Sequence, residues 1–184
     1  MNFIKTKIQD LIIFEPNVFK DERGYFLESF NKKKIEEIIG KVSFIQDNES
    51  ESSKGVLRGL HFQPPPFDQA KLVRCVQGSV LDVAVDIRKK SKTYGEYVSV
   101  ELSGENKRQL FVPRGFAHGF LVLSDSAILA YKVDNFYAPQ CEAGIYWNDE
   151  LLNIKWDMES EKVLVSNKDS KLPNFTQFKS PFIN

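Results

Sequence analysis

The sequence predicts an all-β fold of the sandwich or barrel kind with one short helix set into it. Three observations carry that expectation. Most of the chain reads as short runs rich in β-branched and aromatic residues. The runs end at turn signals such as DERG at 21–24, QG at 77–78, SGEN at 103–106 and SDS at 124–126. No internal repeat, heptad or low-complexity linker interrupts them. A chain of 184 residues suits one domain over 1–184, with 174–184 as a C-terminal arm.

The first strand is expected over 3–14, followed by 18–20 and 25–30 on either side of DERG. Asn31 then caps KKKIEEII and Gly40 ends it, a helix too short to form a layer. Further strands are expected over 43–47, 56–63, 71–77 and 79–87, the last two split by QG. The runs 96–102 and 108–112 flank SGEN, and 118–123 and 126–133 flank SDS. After SNKDS the tail KLPNFTQFKSPFIN carries aromatics without a period, which suits an arm packed on the domain or a frayed end.

Charge is balanced, 25 basic against 25 acidic residues, so neither a nucleic acid nor a membrane surface is an expected partner. No apolar run is long enough for a membrane span, and MNFIKTKIQDLIIF lacks the apolar centre of a signal peptide. A cytoplasmic location is therefore expected. Cys75 and Cys141 lack metal-ligand spacing and are read as reduced thiols, Cys75 as a small buried hydrophobe.

The stretch GVLRGLHFQ at 55–63 is unusual for a core strand. Alternation places Val56, Arg58, Leu60 and Phe62 on one face and Leu57, His61 and Gln63 on the other, so neither face is purely apolar. Arg58 and His61 can share one pocket only if Gly59 bulges the strand or a neighbouring subunit supplies one wall. His61 and His118 are the only histidines. Pro113-x-Gly115-x-x-His118 resembles the second motif of the cupin barrel, a double-stranded jelly roll. Where metal-binding cupins carry a second His and a carboxylate, HFQPPPFDQAK has Gln63 and Lys71. Neither suits a transition metal, so a metal-free pocket is expected.

Each candidate also has a plainer role. A half-buried His61 commonly bonds a neighbouring strand, and Lys71, between apolar neighbours, commonly snorkels. Lys71 aimed into a pocket would instead partner an anion or a developing oxyanion. Tyr131 in AILAYKV shares a face with Ala127 and Leu129, as a core residue or as a general acid. Arg23, Glu28 and Asp169 sit in segments that usually make turns or solvated faces.

Taken in order, DERGYFLESF, QDNESESSKGVLRGLHFQ, QAKLVRCVQGSVLDVAVDIR, S-x-T-Y-G, VPRGFAHGF, YKVDNFYAP, EAGIYWND and SNKD closely resemble the dTDP-4-dehydrorhamnose 3,5-epimerase family, from about residue 3 to about residue 173. The resemblance implies a cupin-like jelly-roll barrel, a homodimer that exchanges strands, a dTDP-sugar substrate, no cofactor, and a place in dTDP-L-rhamnose synthesis for surface polysaccharide such as O-antigen. It implies His61 as base, Asp169 as its carboxylate partner and Tyr131 as acid. The substrate-binding positions it implies are Arg23, Phe26, Glu28, Gln46, Asp47, Asn48, Arg58, Lys71, His118, Glu142 and Lys168. Phe26 would stack on the base, Arg58 would fix the diphosphate, and Lys71 with His118 would face the enolate oxygen. Lys168 stands where many members are expected to carry Arg, and it acts as a point charge where Arg would grip a phosphate bidentately. Tyr137 is a loop aromatic near Pro139, and resemblance suggests help at the second carbon.

Three alternatives stay open on sequence. One is an epimerase that inverts a single carbon or takes a related nucleotide sugar. Another is a non-catalytic sugar-nucleotide-binding module. The third is a metal-dependent cupin oxygenase, which Gln63 and Lys71 disfavour.

Overall fold

The computed structural model describes residues 1–183, so Asn184, the last residue of the expected arm, lies outside the described residues. Its strands are β1 (Asn2–Lys5), β2 (Ile12–Glu15), β3 (Val18–Asp21), β4 (Gly24–Leu27), β5 (Gln46–Ser53), β6 (Leu57–Phe62), β7 (Lys71–Gln77), β8 (Ser79–Asp86), β9 (Tyr97–Ser103), β10 (Gln109–Val112), β11 (Phe116–Val122), β12 (Ser126–Val133) and β13 (Ala143–Gly144). The single α-helix among the described residues is α1 (Lys32–Ile39).

The strands form a six-stranded sheet, β1-β2-β10-β7-β12-β5, and a five-stranded sheet, β13-β6-β11-β8-β9, while β3 and β4 form a separate hairpin. All strand pairs within these sheets are antiparallel. The fold is all-β and cupin-like, as the sequence predicts, and its jelly roll is built as two sheets rather than one continuous ladder.

Strand periodicity explains how the layers stack. Along β8, Val80 and Ala84 join Val73, Leu110, Val122 and Leu129 between the sheets, while Leu81, Val83 and Val85 turn to the outer face. There they meet Trp147, Trp156 and the C-terminal Phe175, Phe178 and Phe182. With both faces covered, β8 reads as an almost unbroken apolar run. Helix α1 covers the outside of the six-stranded sheet, with Ile35 fully buried against Phe14 and Leu72. Burial of each such side chain stabilises the fold by about 1.5–3 kcal/mol. Asn31 caps this helix by accepting from the Lys34 amide at 3.2 Å, and Gly40 ends it at φ 82°.

Two strand expectations change. The run 3–14 breaks into β1 and β2, because the Thr6 hydroxyl bonds both the Ile8 amide and carbonyl and turns the chain. The strand expected at 43–47 lies instead over Gln46–Ser53. QDNESESS alternates between exposed residues and half-buried or buried polar ones at the sheet edge, without an apolar face. No helix among the described residues is long and apolar enough to cross a membrane.

Candidate active site

A cavity of about 730 Å³ opens between the two sheets near one end. From the five-stranded sheet come Arg58 and His61 on β6 and His118 on β11, and from the six-stranded sheet Gln46 and Asn48 on β5, Lys71 on β7 and Tyr131 on β12. Glu142, Lys168 and Asp169 approach from the segments after the last long strand.

A bulge brings Arg58 and His61 to the same side. β6 pairs His61 with His118 and Arg58 with Phe120, so it advances three residues while β11 advances two. The additional residue falls at Gly59, whose φ of 137° suits glycine alone. A Cβ there would stand 2.5 Å from the Cα of Gly119, and one on Gly119 would stand 2.8 Å from the Arg58 carbonyl oxygen. The two glycines therefore let the strand backbones touch where the pocket needs the phase change.

His61 Nε2 lies 2.7 Å from Oδ1 of the buried Asp169. Burial works to raise the Asp169 carboxyl, but hydrogen bonds from His61, Gly59 and Ser166 outweigh it and hold the group below the usual carboxylate range. An ionised carboxylate only accepts, so Nε2 carries the hydrogen and Nδ1 holds the free lone pair. Nδ1 is 4.0 Å from Glu142 Oε1. Glu142 is tied in turn to Lys168 and to the Tyr137 hydroxyl, which donates at 3.0 Å. Burial pushes Glu142 up, and Lys168, Tyr137 and His61 more than reverse it.

The Lys71 side chain makes no hydrogen bond or ion pair among the described residues, and its Nζ lies 6.0 Å from the Tyr131 ring centre. Burial pulls its ammonium from 10.5 down to about 8, against the opposing pull of Asp82 and Glu142. His118 is held by both oxygens of the fully buried Asp82, at 2.9 and 3.0 Å from Nε2. Burial and the nearby Glu142 raise the Tyr131 hydroxyl, so it stays protonated at neutral pH. Arg58 spans to the opposite sheet, donating to Ser52 Oγ at 3.1 Å and to the Glu51 carbonyl at 3.2 Å.

Four expected substrate residues stand outside this cavity in the single chain. Asp47 points to the outer face of the edge strand and pairs with Lys132 at 2.8 Å. Glu28 accepts from Asn31 and Lys34 beside the start of α1. Arg23 pairs with Asp21 at the hairpin turn, and Phe26, on the same hairpin, is 69% exposed. The hairpin pairs with neither sheet, and its Tyr25 and Phe26 line a separate cleft with Arg74, Lys107 and Gln109, so within one chain it does not line the pocket.

The sequence reading left out two contributors, Ser166 and Asp82, and took Gln63 only as a poor metal ligand. Ser166 Oγ accepts from the Asp169 amide at 3.0 Å, a Ser-x-x-Asp turn visible in SNKD. Asp82 anchors His118, and its only sequence signal is an acid within an apolar strand. Gln63 bonds backbone groups of two loops, which leave no signal in side chains.

The family model for dTDP-4-dehydrorhamnose 3,5-epimerase matches residues 5–177. The dTDP-4-dehydrorhamnose 3,5-epimerase of Shigella flexneri is 61% identical to this chain over 170 residues, covering 92% of this chain and 93% of that protein. The crystal structure of the Legionella pneumophila dTDP-6-deoxy-D-glucose-3,5-epimerase in complex with dTDP-4-keto-L-rhamnose superposes with a TM-score of 0.94 at 48% identity, covering 99% and 96% of the two chains. A 3′-monoepimerase from Streptomyces bikiniensis in complex with dTDP-quinovose gives a TM-score of 0.87 at 32% identity over 94% and 87%.

Proposed function

This chain belongs to the dTDP-4-dehydrorhamnose 3,5-epimerase family and is an epimerase, and we propose how its residues invert carbons 3 and 5 of dTDP-4-dehydro-6-deoxy-D-glucose to give dTDP-4-dehydro-L-rhamnose. The observation that carries the reading is the placement of a base and an acid on opposing sheets. His61 reaches the cavity from the five-stranded sheet and Tyr131 from the six-stranded sheet.

The hydrogens on carbons 3 and 5 are acidic because each neighbours the carbon 4 ketone. His61 Nδ1 takes the proton, the C–H electron pair moves into the enolate, and negative charge builds on the carbonyl oxygen. Asp169 fixes the imidazole tautomer and stabilises the imidazolium. Lys71, whose ammonium has no partner among the described residues, faces the enolate oxygen together with His118. Tyr131 then gives its proton to the opposite face of the carbon, which inverts the centre, and both residues exchange protons with solvent before the next step. Arg58 and Lys168 supply positive charge for the diphosphate.

A homodimer completes the pocket in this reading. The β3–β4 hairpin carries exposed Phe19, Tyr25 and Phe26 and pairs with no other strand among the described residues, which suits a segment that reaches a second copy. Arg23, Phe26 and Glu28 would then serve the partner's cavity. We read the reaction as cytoplasmic.

The test is to incubate the protein with the keto sugar, reduce the product in place and identify the sugar by NMR. An L-rhamno product supports the reading. Inversion at one carbon alone would favour the single-centre alternative, which the Streptomyces monoepimerase keeps in view. Binding of dTDP without turnover would favour a binding module.

A further inference from the structure

Gln63, just beyond the strand that carries His61, is buried, and its side-chain amide is fully engaged. Nε2 donates to the Phe67 carbonyl at 2.6 Å and to the Phe136 carbonyl at 3.3 Å, while Oε1 accepts from the Ala138 amide at 2.7 Å. Phe136 and Ala138 are the residues immediately before and after Tyr137. The amide therefore grips the backbone on both sides of a tyrosine that is 52% exposed at the cavity and whose hydroxyl bonds Glu142.

We infer that Gln63 is a positioning residue that holds Tyr137 against the substrate at the cavity mouth, a role that rests on the function proposed above. Only a primary amide supplies two donors and an acceptor at this spot. Met would match its length and bond nothing. Glu would keep the bond from Ala138 and, when ionised, set its charge against two carbonyl oxygens. The Tyr137 amide itself has only a long bond, to Gln46 Oε1 at 3.5 Å, and its flanks have one further tie each, from the Phe136 amide to Asn135 Oδ1 and from the Cys141 amide to the Ala138 carbonyl, both at 2.9 Å.

The stems of the two loops have separate ties. Gln69 donates to the Asn135 carbonyl at 2.7 Å, Asn135 to the Pro66 carbonyl at 3.0 Å, and the Ala70 amide to Asp134 at 2.7 Å. Loss of the Gln63 amide therefore leaves the loops attached and loosens the backbone on both sides of Tyr137 in particular.

The test is a double-mutant cycle between Gln63→Met and Tyr137→Ala, read as KM and kcat for the keto sugar and as Kd for dTDP by calorimetry. Gln63→Met should raise KM and weaken dTDP about tenfold with kcat held within about twofold, and in the Tyr137→Ala background it should change either by less than about twofold. A tenfold effect in both backgrounds, or none in the first, overturns the inference. If Gln63→Met does not fold, the same cycle with Gln63→Glu applies, and additive effects there overturn it equally. Wild-type protein that neither binds dTDP nor turns over would overturn the functional reading and this inference with it. Wild type that does both while Gln63→Met matches it would overturn only the role of Gln63.

Discussion

His61 Nε2 and Asp169 Oδ1 lie 2.7 Å apart although 108 residues separate them in the chain. The pairing fixes which imidazole nitrogen can accept a proton. Asp169→Asn should therefore lower kcat by about 10²–10⁴-fold while dTDP affinity stays within about threefold. Steady-state kinetics with calorimetry checks this, and a near-normal kcat would remove Asp169 from the mechanism.

Tyr131 is expected to matter only after the proton has left. Tyr131→Phe should complete inversion about 10²-fold more slowly yet still exchange substrate hydrogen with solvent, since His61 can return a proton to the face it came from. NMR in heavy water separates exchange from inversion. Inversion at the wild-type rate would make Tyr131 a core residue.

Lys71 sets an alkaline limit. Its ammonium, pulled down to about 8 by burial, loses its charge as pH rises through that value, so turnover should fall on that side. Lys71→Arg, which stays charged, should move the fall to higher pH at a lower maximal rate. For stability the sign is opposite. The unfolded chain holds this proton up to about 10.5, so the buried charge destabilises the native state most below pH 8 and less above it. Lys71→Met should gain about 1–2 kcal/mol in urea unfolding at pH 7 while losing about 10²–10³-fold in turnover.

Gly59→Ala should damage both fold and site. The added Cβ would meet the Gly119 Cα at 2.5 Å in a backbone conformation of φ 137°. A loss of about 2–4 kcal/mol is expected in denaturant unfolding. An unchanged midpoint with full activity would show that the bulge does not need glycine.

Legibility in the sequence tracked the kind of physics involved. Strands with an apolar face, such as β7, β8 and β12, announced themselves by composition and turn residues. The edge strand β5 did not, because one of its faces lines a polar cavity and the other meets water. Alternation alone placed Arg58 and His61 on opposite faces, and the bulge at Gly59, named beforehand as one way out, reverses that. Asp169 could be assigned only through resemblance over long blocks, since local pattern says nothing of a partner 108 residues away. Arg23 and Phe26 on the hairpin and Glu28 just after it show the limit of one chain, because resemblance names a pocket's residues without saying which subunit builds each wall.

Mixed subunits test that wall. A His61→Asn chain and an Arg23→Ala chain, each nearly inactive alone, should recover turnover when mixed and refolded, because one pocket of the hybrid then carries both changes and the other carries neither. Sedimentation of the wild type as a monomer, or no recovery on mixing, would contradict a shared pocket.

In the proposed mechanism, His61 begins inversion by removing protons beside the carbon 4 ketone. The most direct measurement is deuterium uptake from heavy water into dTDP-4-dehydro-6-deoxy-D-glucose, followed by NMR and mass spectrometry for wild type and His61→Asn. Uptake at carbons 3 and 5 with wild type, and at neither with His61→Asn, is the expected result. Uptake at either carbon by His61→Asn at the wild-type rate would contradict it.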